Sequence, residues 1–247
     1  MHSVKNLSNN KIKEITKLHQ KKYRDETKLF IAEGKKIFEE VLTEKIEIVE
    51  IYALEAFKPT KKADSITYIS ESEMKKISTT ASACEVLVIA KQKEHQLNNV
   101  KGNKIILLDR ISDPGNLGTI IRSAAAFNIY GIILYGDCVE IYSPKVIRSC
   151  AGNFFKTPIV RIKDLKELKD NFKDYTFIST ALRQGNNIEP KELKNIGKTV
   201  IMFGSEADGL NKDLIKIADK NVLLEMNKNV ESLNLSVSAS ILMYELF

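Results

Sequence analysis

The spacing of apolar and polar positions separates the chain into two stretches. In the first, apolar residues recur at helical spacing among lysines over 12–18, and short apolar runs that are typical of strands follow. After the polar segment 91–103, apolar runs and amphipathic stretches alternate regularly to the end of the chain. Such alternation predicts a parallel sheet covered by helices. We therefore predict an α/β fold with two domains, a small one over residues 1–97 and a second over 104–247.

The same spacing predicts the individual elements. In the first domain, Gly34 begins a helix, and Ser70 with Glu73 forms a capping box at the start of another. The strands predicted there are 46–53, 66–69 and 85–90. The strands predicted in the second domain are 104–108, 131–135, 159–161, 175–180, 198–203 and 221–226. The helices predicted in the second domain are 118–128, 144–151, 164–172, 211–218 and one from residue 235.

Residues 107–127, LLDRISDPGNLGTIIRSAAAF, predict a strand, a turn-rich loop and a helix. Arg122 is the lone cation of this otherwise apolar helix. The stretch is compatible with an ordinary βα unit that exposes Arg122, and also with a site around Asn116 and Arg122. It lacks both the G-x-G-x-x-G of a dinucleotide fold and the Lys-Ser/Thr of a P-loop.

Two later loops favour the second interpretation. Gly204 and Gly209 bracket Glu206 between a strand and a helix, and Ser232 and Asn234 precede the last helix. Either Ser232 or Asn234 is suited to be an N-cap. Ligands of parallel sheets bind at the carboxyl ends of the strands, where all three loops are expected. The sequence therefore predicts a site there, although spacing alone leaves its chemistry open.

Charge and composition narrow the function classes. The net charge is +6, and residues 1–30 carry eight Lys or Arg against three acids. Lys21, Lys22 and Arg24 surround a tyrosine, a combination suited to RNA phosphates and bases, although a solvated helix face explains it equally well. Three scattered cysteines and three scattered histidines predict neither a disulfide framework nor a metal site. Because the chain has no long apolar segment and no signal-like N-terminus, we expect a cytoplasmic protein with no membrane segment.

Three segments, DPGNLGTIIRSAAAF, VIMFGSEADGL and EMNKNVESLNLSVS, resemble the three signature motifs of the SpoU/TrmH-type RNA 2′-O-ribose methyltransferases of the SPOUT class. The N-terminal KYRDETKLFIAEGKKIFEEVL is similar to the L30e-like substrate-binding domain that often precedes this catalytic domain. The resemblance implies a SPOUT α/β-knot domain with a C-terminal trefoil knot. It also implies S-adenosyl-L-methionine as cofactor, and a homodimer whose site lies near the subunit interface.

By motif position, the resemblance makes Arg122 the catalytic arginine and Asn116 its neighbour in the first motif. Glu206 corresponds to the acid of the second motif, and Ser232 and Asn234 to the polar pair of the third. The positions that it assigns to the methyl donor are Gly204, Leu224, Met226 and Leu233. The chain departs from the family pattern in having Glu225 and Lys228 where Pro and Gly are usual, and Cys150 where Ser is common.

The expected activity is therefore S-adenosylmethionine-dependent 2′-O-methylation of RNA. The L30e-like domain favours 23S ribosomal RNA over tRNA, and we expect Lys21, Lys22 and Arg24 to hold its phosphates. An RNA-binding protein that kept the fold and lost turnover is an alternative, because Glu225 and Lys228 depart from the cofactor loop. A nucleotide-binding dehydrogenase lacks its glycine motif here and is the weakest alternative.

Overall fold

The computed structural model describes residues 4–63, 65–80, 82–181, 185–230 and 232–247. The chain folds into two units. The first unit comprises the chain up to Lys93 together with Glu140–Phe155, and the second comprises Glu94–Val139 and Lys156–Phe247. The sequence assigned 140–155 to the second domain, whereas the structure groups this segment with the first unit.

Strands and helices of the described residues are numbered in chain order. The strands are β1 (Leu29–Glu33), β2 (Ile48–Leu54), β3 (Thr67–Ile69), β4 (Val86–Lys91), β5 (Lys104–Asp109), β6 (Gly131–Tyr135), β7 (Ile159–Ile162), β8 (Thr176–Ser179), β9 (Asn187–Ile188), β10 (Thr199–Phe203) and β11 (Lys220–Val222). The helices are α1 (Asn9–Lys17), α2 (Lys21–Thr27), α3 (Lys35–Thr43), α4 (Glu71–Ile77), α5 (Pro114–Ala126), α6 (Pro144–Ser149), α7 (Leu165–Asn171), α8 (Lys212–Lys216) and α9 (Leu235–Leu246). None of these helices is long and apolar enough to cross a lipid bilayer.

The first unit is built on a four-stranded mixed sheet of order β1-β4-β2-β3. Strand β4 is antiparallel to both of its neighbours, and β2 is parallel to β3. The capping box predicted at the start of α4 is present, because the side chain of Ser70 accepts from the backbone of Glu73 and the Glu73 side chain accepts in return. Strand β1 and helix α2 are elements of this unit that the sequence did not predict, since their residues were interpreted only as an apolar run and as the basic segment before it.

Two buried carboxylates attach residues 140–155 to the first unit. Arg148 lies 3.1 Å from the carboxylate of Glu33, which is almost fully buried. Glu40 accepts hydrogen bonds from the backbone N–H groups of Phe154 and Phe155, at 3.0 and 2.7 Å. Because a buried carboxylate is costly without such partners, α6 and the turn after it are integral to this unit.

Cys150, one of the departures from the family pattern, ends helix α6 inside the first unit. It is fully buried, and burial raises the pKa of its thiol well above the ordinary value. The thiol therefore stays neutral and behaves as a small apolar side chain.

The position of Arg24 does not match its expected role of holding RNA phosphates. Its side chain is 3% exposed, and its guanidinium donates to both oxygens of Glu140 and to the carbonyl of Leu18. A side chain enclosed in this way is not available to RNA phosphates, so the expectation for Arg24 is wrong. Lys21 and Lys22 remain exposed on α2.

Replacing Glu140 with alanine is expected to lower the free energy of unfolding by about 3 kcal/mol, because it leaves the buried charge of Arg24 without a partner. Urea denaturation measures this change. The matched control is Glu26→Ala, which removes the exposed partner of Lys22 and should cost at most about 0.5 kcal/mol. Equal effects of the two substitutions would contradict this account. The double variant Arg24→Met/Glu140→Leu should regain most of the loss.

The second unit contains a seven-stranded sheet of order β7-β6-β5-β10-β8-β11-β9, in which every pairing is parallel. This confirms the predicted parallel α/β sheet. From β5 the chain continues through α5 to β6 on one side, and from β10 it continues through α8 to β11 on the other. The direction of winding therefore changes between β5 and β10, which is where parallel α/β sheets bind ligands.

Two predicted boundaries in this unit are wrong by four residues, and others differ by one or two. Helix α5 begins at Pro114 and not at residue 118, because the side chain of Asp113 caps it by accepting from Asn116 N at 2.7 Å. The turn-forming residues 113–115 therefore form the N-cap and the first helical positions of α5. Strand β11 ends at Val222, and irregular structure begins four residues earlier than predicted.

Candidate active site

The candidate site lies beyond the carboxyl ends of β5 and β10 in the second unit. These strands are hydrogen-bonded neighbours, with Phe203 in register with Leu108. The segments that follow them, 110–113 and 204–211, therefore leave the sheet side by side. Helix α5 starts directly after the first segment, and its first turn carries Asn116.

A hydrogen-bonded chain of three side chains joins three separate parts of the sequence here. Asn116 Nδ2 donates to Oε1 of Glu206, and Asn116 Oδ1 accepts from Asn234 Nδ2 at 3.0 Å. Asn116 is buried, whereas Glu206 and Asn234 are exposed. One residue from each of the three predicted loops thus meets at one place. We refer to Asn116, Glu206 and Asn234 as the polar cluster.

Local backbone structure fixes the outer members of the polar cluster. Asn234 is the N-cap of α9, with its Oδ1 accepting from the backbone N–H of Ser236 at 2.9 Å. The capping role that the sequence allowed for Asn234 is therefore present, together with its contact to Asn116. Because the amide of Asn116 donates at one end and accepts at the other, its orientation is defined. Within the described residues, Oε2 of Glu206 has no hydrogen-bond partner and remains able to accept one from a ligand.

The residues expected at the methyl donor lie in or beside these loops. Gly204 has no room for a side chain, since a Cβ there would lie 2.1 Å from the backbone of Gly209 and Leu210. Leu224 is half-buried, whereas Met226 and Leu233 are 36% and 37% exposed. The backbone at Gly204 and the exposed apolar side chains of Met226 and Leu233 are of the kind that contact a ligand made of an adenosine and an aliphatic chain.

Arg122 and Ser232 are not part of the polar cluster. Six residues separate Asn116 from Arg122, which turns an α-helix by about 240°. Arg122 accordingly lies on the exposed face of α5, and no described residue forms a hydrogen bond or ion pair with it. Ser232 is exposed and is likewise without a hydrogen bond to the described residues.

Sequence reasoning missed a charged pair at the end of β5. Asp109 is fully buried and accepts from Arg110 and from the backbone N–H of Asn211 at 2.8 Å. The pKa of Arg110 is raised, mainly because its side chain donates to Asp109. A single acid directly after the apolar run 105–108 was the available signal for Asp109, whereas nothing in the sequence marks Arg110.

A cavity of about 710 Å³ occupies the opposite edge of the same sheet. It opens at the amino ends of the strands, away from the polar cluster. Its lining residues are Leu97, Asn98, Val100, Lys101, Gly102, Asn103, Tyr130, Asn171, Phe172, Asp174, Tyr175 and Lys198. Because the chemistry of parallel sheets concentrates at the carboxyl edge, the polar cluster is the better candidate for the active site.

Both parts of the chain match known protein families. Residues 103–244 match the SpoU rRNA Methylase family, and residues 9–88 match the MRM3-like substrate binding domain. The chain is 29% identical, over 100% of its length and 99% of the relative's, to the 23S rRNA (guanosine(2553)-2′-O)-methyltransferase RlmP of Bacillus subtilis.

Two solved structures share the fold over nearly the whole chain. The S-adenosylmethionine-bound rRNA methyltransferase from Sinorhizobium meliloti has a TM-score of 0.85 and 27% identity, covering 98% of this chain and 96% of that one. The SpoU methyltransferase AviRb from Streptomyces viridochromogenes, with its cofactor, has a TM-score of 0.85 at 21% identity, covering 96% and 97%. Since the family match spans more than half of the sequence, the chain belongs to the SpoU rRNA Methylase family, a family of S-adenosylmethionine-dependent methyltransferases.

Proposed function

We propose that this protein transfers the methyl group of S-adenosylmethionine to a ribose 2′-hydroxyl of 23S ribosomal RNA. The observation that carries the proposal is the polar cluster, in which Asn116, Glu206 and Asn234 meet at the carboxyl edge of the sheet. The full-length similarity to a 23S rRNA 2′-O-methyltransferase supports the choice of RNA and of acceptor atom.

Gly204, Leu224, Met226 and Leu233 would hold the cofactor. Backbone at Gly204 lies close to Gly209, and Met226 and Leu233 expose apolar surface that bound adenosine or methionine would cover. The bound cofactor supplies an electrophilic methyl group on a sulfonium. The protein must align the 2′-hydroxyl oxygen with that methyl group and provide an acceptor for the hydroxyl proton.

Arg122 holds the RNA phosphate next to the reacting ribose and stabilises the developing alkoxide. It does not act as the base, because a guanidinium keeps its proton at neutral pH. The proton leaves to that phosphate or to a polar side chain of the site. Glu206 is the carboxylate within the polar cluster, and Asn116 and Asn234 orient it.

The first unit serves as the RNA-binding domain, of the L30e-like kind. Lys21 and Lys22 are exposed on α2, and the ammonium of Lys22 lies 5.8 Å from the ring centroid of Tyr23. These groups suit phosphates and stacked bases, and they make RNA binding weaken as salt increases. The match of residues 9–88 to a substrate-binding domain supports this role.

The enzyme works as a cytoplasmic homodimer with a knotted C-terminal segment. Val237, Ile241 and Tyr244 are spaced along one face of α9 and are 46%, 38% and 62% exposed, an apolar face suited to a second copy. For the knot, the supporting observation is that α9 packs beside α5, although it follows β11 near the far edge of the sheet. The bacterial rRNA-modifying relatives support the cytoplasmic location.

The test is to map 2′-O-methyl groups in 23S rRNA and tRNA from cells with and without this gene. We expect one ribose methyl group of 23S rRNA to disappear, and guanosine 2553, the position named for the Bacillus subtilis relative, is the first to inspect. Loss of a methyl group from tRNA alone would identify tRNA, and not 23S rRNA, as the substrate. An unchanged methylation pattern would contradict the proposal.

A second candidate function is RNA binding without methyl transfer. It is favoured by Glu225 and Lys228, which replace the Pro and Gly that are usual in the cofactor loop. Both side chains are exposed. Isothermal titration of the purified protein with S-adenosylmethionine distinguishes the two. Heat of binding is expected for the enzyme, and none for a pure binding protein.

A further inference from the structure

Arg110 adopts a backbone conformation that arginine rarely takes. Its φ is +54°, in the left-handed region, which is unfavourable for residues other than glycine. Successive side chains of a strand point to opposite faces, but here the chain turns sharply after β5 and brings Arg110 back onto its own neighbour. Nε and Nη2 of Arg110 each lie 3.1 Å from one carboxylate oxygen of Asp109. Gly136 leaves space for this arrangement, since a Cβ there would lie 2.8 Å from Cγ of Arg110.

The same pair holds the end of the 204–211 segment. Arg110 Nη2 donates to the carbonyl of Gly209 at 3.1 Å, and Nη1 lies 3.4 Å from the carboxylate of Asp208. Asp109 accepts from the backbone N–H of Asn211 at 2.8 Å. The last residue of β5 and the residue after it therefore attach to three positions of the neighbouring segment. We call Asp109 and Arg110 the β5 clamp.

The segment held by the β5 clamp is a closed turn. Ser205 and Gly209 exchange two backbone hydrogen bonds, at 3.2 and 3.0 Å, so the residues between them form its tip. Glu206 lies in that tip, where its carboxylate accepts from Asn116. Because the turn is short and closed, fixing its end at Gly209 also fixes the position of Glu206.

We propose that Asp109 and Arg110 are positioning residues, which fix the 204–211 turn so that the carboxylate of Glu206 stays on Asn116. The inference rests on the proposed function only for its effect on catalysis. The alternative role for Arg110, a direct contact with an RNA phosphate, is disfavoured because Nε, Nη1 and Nη2 all have acceptors within the second unit. The arginine is thus occupied before RNA binds.

The first test is hydrogen–deuterium exchange of the protein without RNA or cofactor. Arg110→Gly removes the guanidinium of the clamp while keeping a residue that tolerates the left-handed backbone, and thermal unfolding checks that the variant is folded although Asp109 loses its cation. We expect backbone amides of 204–211 to exchange about tenfold faster, and those of β5 to stay protected. The matched control is Arg161→Gln, which also removes a guanidinium that donates to loop carbonyls, those of Gly136, Cys138 and Val139. Unchanged protection of 204–211 in Arg110→Gly would overturn the proposal.

The second test compares kcat with KM for methyl transfer. In Arg110→Gly we expect kcat to fall about 10- to 100-fold while KM for RNA stays within about twofold, because the bound substrate meets a misplaced carboxylate. Arg110→Lys should not restore kcat, since an ammonium lacks the fork that reaches Asp109 and Gly209 together. A raised KM with normal kcat, rescued by Arg110→Lys, would identify a phosphate contact and overturn the proposal. If the wild-type protein transfers no methyl group, the proposed function fails, and the exchange experiment still decides on the clamp.

Discussion

Replacing Arg122 with alanine should abolish methyl transfer, with a loss in kcat of about 10²- to 10³-fold or more. Arg122 is the lone cation of α5, it is exposed, and its guanidinium has no hydrogen-bond or ion-pair partner among the described residues. Removing it therefore leaves the fold and the polar cluster unchanged, and removes a charge that only a ligand would use. Single-turnover transfer of a labelled methyl group to RNA measures the loss.

Three further measurements show what a loss of activity in this variant means. Titration calorimetry should find S-adenosylmethionine binding unchanged in Arg122→Ala, since the expected cofactor positions lie in other loops. Lys166→Ala, which removes an exposed cation from α7, is the matched surface control and should retain full activity. Arg122→Lys tests the clamp role, because an ammonium keeps the charge without the bidentate geometry and should restore activity in part. Near wild-type turnover in Arg122→Ala would remove this residue from the mechanism.

The sequence predicted the members of the polar cluster better than it predicted their arrangement. Glu206 and Asn234 lie 90 and 118 positions after Asn116 in the sequence. The three residues meet because parallel strands place the loops that follow them at one edge of the sheet. Arg122 was assigned to the same site by its motif. Helical geometry turns it to the other side of α5, which spacing along the chain does not reveal.

Contacts distant in sequence account for what could not be predicted. The basic run that contains Arg24 suggested a phosphate-binding patch. In the structure, however, Arg24 is buried in an ion pair with Glu140, 116 positions away. Arg110 gives no local signal because arginine is not a residue that marks a left-handed turn. Each of these arginines also binds a partner distant in sequence, Glu140 for Arg24 and the Gly209 carbonyl for Arg110, and composition cannot distinguish such a cation from a free one.

In the proposed homodimer, a charge introduced on the exposed face of α9 is expected to convert the protein to a monomer without activity. In Ile241→Glu, a carboxylate replaces an apolar side chain between Val237 and Tyr244, the other exposed apolar residues of that face. Burying each such side chain in an interface contributes about 1.5–3 kcal/mol, whereas burying an unpaired charge is strongly unfavourable. Sedimentation velocity measures the assembly state. Lys216→Glu, a charge change on the exposed surface of α8, is the control and should stay dimeric.

Mixing two inactive variants tests whether the dimer also completes the active site. Within one chain Arg122 lies about 120° around α5 from Asn116, and α5 packs against α9 through Ser123 with Ser240 and Phe127 with Tyr244. We therefore expect the Arg122 of one subunit to act with the Glu206 of the other. Arg122→Ala and Glu206→Gln should each be inactive alone. After subunit exchange at equal amounts, half of the dimers are mixed, and each mixed dimer has one intact site, so about a quarter of wild-type activity should return. If both groups act within one subunit, no mixed dimer has an intact site and the mixture stays inactive.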